Sequence, residues 1–161
     1  MKYRKNAFTL IETLVYLALF SFLMTGIIVV VYSIFESSDR NQTKIMVQEE
    51  GNFLVAKISW ALSGIKSFNV SSPTDLSVEK YDPSGTTTTV ITINLSGTDL
   101  NLSRAGNPSL PLNNSNVGIS NLLFSRDTDP EYVKADFTVN AKTLNGMPVS
   151  QDFSMVKYLR K

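Results

Sequence analysis

Between Thr13 and Phe35 the chain carries no Asp, Glu, Lys or Arg and is rich in Leu, Ile, Val and Phe. An uncharged apolar run of that length predicts a membrane-spanning helix. The run opens on Phe8-Thr9-Leu10-Ile11-Glu12, and Glu12 is the one charge inside the apolar block. A carboxylate in hydrocarbon is expensive, so its presence points to a function with a partner. Past Phe35 the helix is expected to continue. Glu36 to Ile65 contains no proline, and Val47, Leu54, Ile58, Ala61, Leu62 and Ile65 recur at helical spacing. Met46, Phe53 and Trp60 widen that stripe, and Trp60 is read as a core residue rather than a stacking platform for a ligand. The polar stretch Ser37 to Thr43 reads as solvated helix or a short break. A helix from Phe8 to Ile65 would be about 87 Å long at about 1.5 Å per residue, so its outer half needs something other than a bilayer to pack on. Gly26 and Gly51 are its expected weak points, and Gly64 lies near its expected end.

From Phe68 the period changes. Short apolar runs separated by Ser, Thr, Asn, Gly and Pro signal antiparallel strands and turns. The expected strands are Leu76 to Tyr81, Thr88 to Leu95, Asp99 to Leu102, Val117 to Ser125, Tyr132 to Ala141 and Gln151 to Leu159. Alternation is clearest where Val133, Ala135, Phe137 and Val139 oppose Lys134, Asp136, Thr138 and Asn140, and where Ile91, Ile93 and Leu95 share one face. Such strands make a sheet covered on one side. The helix face of Leu54, Ile58, Ala61 and Leu62 is the expected cover, packed on Val133, Phe137 and Ile93. Turns are expected at Asp82-Pro83-Ser84-Gly85, Ser96-Gly97, Ala105-Gly106-Asn107-Pro108 and Asn145-Gly146. Arg104 to Asn116 is the longest irregular stretch and reads as a surface loop. The predicted class is α+β, a long N-terminal helix whose amphipathic outer half packs on an antiparallel β-sheet.

Composition narrows the functions open to this layout. With 161 residues, the part outside the apolar run suffices for one small globular domain. There is no cysteine, hence no disulfide framework and no thiolate metal site. There is no histidine either, which removes the commonest general base and zinc ligand. No nucleophile and base pair or phosphate loop stands out, so an enzyme is not expected. A formal net charge of +1 forces no basic patch, and nucleic acid is not an expected direct partner. Lys2, Arg4 and Lys5 precede the apolar run without an acidic residue, which keeps the N-terminus cytoplasmic and sends the remaining chain outward. A secretory signal would place its small-residue cleavage site after the apolar region. Here the small-residue junction Asn6-Ala7-Phe8 comes before it.

Lys5-Asn6-Ala7-Phe8-Thr9-Leu10-Ile11-Glu12 resembles the N-terminal motif of the type IV pilin-like proteins, a family that includes the pseudopilins of secretion and competence systems. The resemblance implies a leader of residues 1–7, a transmembrane and assembly helix over 8–35, an amphipathic outer half over 36–66 and a β-rich domain over 67–161. It implies processing between Ala7 and Phe8, with Ala7 where the family usually has glycine, and methylation of the new N-terminal amine of Phe8. Phe8 and Glu12 are the implied assembly residues. The implied partners are a prepilin peptidase that is also an N-methyltransferase, other pilin or pseudopilin subunits, the assembly platform of the inner membrane and the lipid bilayer. The absence of a proline in the span and of a disulfide resembles minor pilins and pseudopilins more than major pilins.

The expected function is therefore a structural subunit of a type IV pilus-like filament or of a pseudopilus. The alternative is an unprocessed single-pass membrane protein displaying a β-rich binding module. No cofactor is expected. Asp127, Asp129 and Glu131 alternate around Pro130 and are the candidate ligands for calcium, but the run lacks EF-hand spacing and falls where a hairpin turn is expected. The solvated turn is the preferred reading, with no metal.

Overall fold

The computed structural model describes residues 9–81, 88–105, 107–128 and 131–158. The expected turn at 82–85, Gly106, and Leu159 lie outside the described residues. The order of elements is one helix, α1 (Leu10–Ala61), followed by eight strands: β1 (Ile65–Ser72), β2 (Asp75–Tyr81), β3 (Thr88–Ser96), β4 (Asp99–Arg104), β5 (Leu110–Pro111), β6 (Val117–Thr128), β7 (Glu131–Lys142) and β8 (Pro148–Tyr158). The α+β layout expected from the sequence is thus present. The chain divides into two compact units, Met1–Asp39 and Arg40–Lys161.

From Thr13 to Phe35, within the first unit, α1 carries no charged residue, and its large side chains are exposed, among them Phe22 at 79% and Phe35 at 70%. A helix with no polar face has no preferred side to turn to water. Three of its hydroxyls bond back to the helix's own carbonyls. Thr13 Oγ1 donates to the Leu10 carbonyl (2.8 Å), Ser21 Oγ to Leu17 (2.9 Å) and Thr25 Oγ1 to Ser21 (2.9 Å). Bonds of this kind remove the penalty of placing a hydroxyl in hydrocarbon.

In the second unit the same helix becomes amphipathic. Its buried residues Thr43, Val47, Gly51, Leu54, Ile58 and Ala61 follow one another at three- and four-residue steps, a single stripe facing the sheets. Trp60 is not part of that stripe. The ring is 50% exposed and lies under the Lys80 ammonium, 4.5 Å from the ring centroid, so the expectation that Trp60 is core is corrected. Its place, two residues past Ile58, turns it about 200° away from the buried stripe at about 100° per residue. Lys80 Nζ also donates to the Trp60 carbonyl (2.9 Å), placing a cation at the negative end of the helix dipole. The helix ends at Ala61, and Gly64, expected near its end, follows three residues later with a φ of 64°, where the chain turns into β1.

The strands form two antiparallel sheets where one was expected. The first is five-stranded in the order β1-β2-β3-β4-β5, and the second is three-stranded in the order β6-β7-β8. The two meet along β6, whose Ile119 amide donates to the Thr98 carbonyl (2.8 Å) and whose Phe124 amide donates to the Pro73 carbonyl (2.6 Å). Between those contacts β6 is irregular, with a register shift between Ser120 and Leu123 and Asn121 at a φ of 54°. One core joins the helix to both sheets, including Leu54, Ile58, Ala61 and Leu62 from the helix side, Ile93 from β3 and Val133 and Phe137 from β7.

β7 keeps the strict alternation expected of it. Val133, Ala135, Phe137, Val139 and Ala141 are buried, while the intervening residues point to the other face. On that face Lys134 pairs with Asp136 (2.7 Å), and Thr138 donates to Asp152 (2.7 Å). The Lys134 ammonium, joined by the Ser154 hydroxyl, holds the Asp136 carboxyl below its ordinary range.

The stretch from Arg104 to Asn116 is not the free surface loop expected. Leu110 and Pro111 pair with Leu102 and Asn101, and the Leu112 amide donates to the Leu100 carbonyl (2.8 Å). Asn113 is buried, accepts the Leu100 amide (2.8 Å) and donates to the Val117 carbonyl (2.6 Å). The Asn114 amide donates to Glu50 of α1 (2.9 Å). The stretch thereby fastens β4 to β6 and to the helix.

Gly51, read from sequence as a weak point, is a close-approach position. A Cβ there would overlap the ring of Phe153, and that ring stacks on Phe137 with centroids 5.6 Å apart. Gly51→Leu is expected to lower stability by about 1–3 kcal/mol through overpacking. In a urea titration of Gly51→Leu, Phe153→Ala and the double variant, the double is expected to lose less than the sum of the singles, because the smaller side chain admits the larger. Strict additivity would show that the two positions do not meet.

Candidate assembly site

The residues that the sequence marks for function fall at the start of α1. Ala7 and Phe8, the expected processing positions, and the basic residues before them lie outside the described residues. The helix begins at Leu10 with Thr9 in the capping position, its carbonyl accepting the amides of Glu12 (3.1 Å) and Thr13 (3.2 Å). Glu12 therefore stands in the first turn, where unsatisfied amides and the helix dipole favour a negative charge. It differs from its neighbours in one respect. Every other residue from 9 to 35 is exposed, whereas Glu12 is partly covered. Tyr16, one turn onward, places its phenol oxygen 3.4 Å from Glu12 Oε1 as a hydrogen-bond donor.

Tyr16 was not singled out from the sequence. The signal available was its i+4 spacing from Glu12, which brings two side chains to one face of a helix. An aromatic residue in an apolar run ordinarily reads as part of that run, and this masks the hydroxyl.

The acidic run is placed elsewhere. Asp127 and Glu131 occupy the facing ends of the β6–β7 pair, in register with Tyr132 and Thr128 respectively, as a hairpin requires. Asp129 lies outside the described residues. Among the described residues no group of three or more His, Cys, Asp or Glu side chains could hold a metal ion.

Residues 2–28 match the prokaryotic N-terminal methylation motif. No curated protein and no solved structure matches the chain. Within α1 the N-terminal part is long and apolar enough to cross a membrane. The motif and the apolar helix fit a pilin-like subunit anchored in a membrane, and the long helix followed by antiparallel sheets is a pilin-like layout. The motif implies a prepilin peptidase and other pilin subunits as general partners.

Proposed function

We propose that the protein is a structural subunit of a type IV pilus-like filament or of a secretion or competence pseudopilus. In this reading it is stored in the cytoplasmic membrane with its basic N-terminus inside and its β-rich domain outside. A prepilin peptidase removes residues 1–7 and methylates the amine of Phe8. The subunit then leaves the bilayer for the filament by exchanging lipid for the apolar helices of its neighbours, held to the assembly platform of the inner membrane. Its work is helix packing rather than catalysis, and neither a metal at Asp127, Asp129 and Glu131 nor another cofactor takes part.

The observation that carries this reading is a conjunction. A methylation motif over residues 2–28 runs into α1, whose apolar side chains from Leu10 to Phe35 are exposed. An apolar run long enough to span needs lipid around it or protein in place of lipid. A polymerising subunit uses both in turn.

Cleavage is tested by the mass of the protein recovered from membranes of its native host. The expected form begins at Phe8 and carries one methyl group on its terminal nitrogen. Recovery of full-length chains alone would favour an unprocessed single-pass protein that displays its β-rich domain.

A further inference from the structure

We infer that Tyr16 is a positioning residue for Glu12: its phenol tethers the carboxylate so that it stands ready for a cationic partner on a second copy of this chain. The inference rests on the assembly reading above and adds a residue to it. Two features that agree with each other support it. The Tyr16 hydroxyl lies 3.4 Å from Glu12 Oε1, and Glu12 is partly covered where every other residue from 9 to 35 is exposed.

The geometry of a helix makes the pairing directional. Side chains lean toward the N-terminus, so a residue at i+4 reaches back over the residue at i. Tyr16 therefore approaches Glu12 from the side deeper in the apolar run. Its ring faces lipid at that level, and its hydroxyl supplies a donor where water is scarce. The bond engages Oε1, and a carboxylate accepts at about four lone-pair positions. Oε2 is thus able to accept from an ammonium while the phenol stays in place.

A long acidic side chain loses much rotamer freedom when it is fixed in a contact. A tether present before the partner arrives removes part of that loss, which is the general route by which preorganisation strengthens binding. The 3.4 Å separation is long for a phenol donating to a carboxylate, so the bond has room to tighten when a neighbouring helix excludes lipid and water. Tyr16 then matters more in the filament than in the stored subunit, and its loss weakens assembly rather than insertion.

The test uses the full-length protein in its own host, with the ratio of filament to membrane protein measured for wild type, Tyr16→Phe, Glu12→Leu and the double variant. Tyr16→Phe keeps the ring and removes the donor. It is expected to be cleaved normally and to lower the ratio about three- to tenfold, with no further loss in the Glu12→Leu background. An unchanged ratio for Tyr16→Phe beside an impaired Glu12→Leu overturns the inference and leaves the assembly reading standing. An equal loss in both backgrounds also overturns it, because the phenol then acts without Glu12. Full incorporation of Glu12→Leu would remove the pairing role of Glu12 and the positioning role of Tyr16 together, and would leave the protein a filament subunit that finds its register by another contact. A second measurement judges the contact itself: the fluorine resonance of 3-fluorotyrosine in place of Tyr16, recorded on the full-length protein in phosphatidylethanolamine and phosphatidylglycerol vesicles. It is expected to move on Glu12→Leu and to stay on Glu36→Gln. A resonance indifferent to Glu12 overturns the inference whatever the assembly data show.

Discussion

Phe137→Ala is expected to destabilise the fragment 36–161 by about 3–5 kcal/mol, the range for deleting a buried aromatic side chain. Phe137 is 2% exposed and sits at the centre of the second sheet, opposite Phe153 in the β7–β8 register. The two rings stack at 5.6 Å with 15° between their planes, and the tip of the Phe153 ring, its Cζ and Cε atoms, lies against Gly51 of α1. Removing the Phe137 ring therefore takes away the support on which the sheet is seated against the helix. Two effects add: the lost transfer of the ring from water, and a cavity that the surrounding strands, fixed by their hydrogen bonds, fill only in part. For a domain whose total stability is about 5–15 kcal/mol this is a large share. With a slope of about 2 kcal/mol per molar, the urea midpoint is expected to fall by about 2 M. A midpoint equal to wild type would remove Phe137 from the core and with it this account of how the helix and the second sheet are joined.

The parts of the fold that could be read from sequence are those specified by local period. β7 alternates without interruption, and every inward position expected of it is buried. The buried stripe of α1 follows the helical repeat, and Gly64 and Gly146 stand at chain reversals with positive φ. The parts that could not be read depend on residues far apart in the chain. β1 carries only Ile65, Phe68 and Val70 as large apolar residues and follows the helix so closely that Ile65 extends the helical pattern. β5 is two residues long and exists because Asn113 and Leu112 bond to Leu100. Whether eight strands make one sheet or two is decided where Ile119 and Phe124 of β6 bond to turns of the other sheet, which no periodicity records. Trp60 shows that size alone does not give position, since its ring is half exposed beside Lys80. A large ring on the flank of a helix is as well accommodated by a lysine as by a core. At the candidate assembly site Glu12 stands out in the sequence because a charge in an apolar run is conspicuous. Tyr16 was not, because its hydroxyl is hidden in a residue that suits the run.

Glu12→Leu is expected to leave membrane insertion and cleavage intact, or to improve insertion, while reducing incorporation into the filament by up to roughly a hundredfold. In the proposed function, cutting before Phe8 creates a terminal amine and methylation leaves its positive charge in place, which would put two opposite charges near the inner edge of the membrane within one chain. Within a single helix the backbone restrains their approach, whereas a neighbour displaced along the filament axis brings its own amine beside Glu12. An unpaired ion in hydrocarbon costs about 2.5–3.5 kcal/mol by insertion scales, and pairing recovers part of that only when the two helices stand at one axial offset. At about 1.4 kcal/mol per tenfold, that cost sets the hundredfold ceiling. Apolar packing between exposed helix surfaces supplies contact at many offsets, so a leucine at this position keeps the attraction and loses the register. Glu12→Asp retains the charge on a side chain one methylene shorter and is expected to be milder. The measurement is the partition of each variant between membrane and sheared filament fractions, with cleavage followed by mass in the same samples. If Glu12→Leu protein is processed, abundant and incorporated as well as wild type, Glu12 is an interfacial residue stabilised by the helix dipole and the subunits find their register by some other contact.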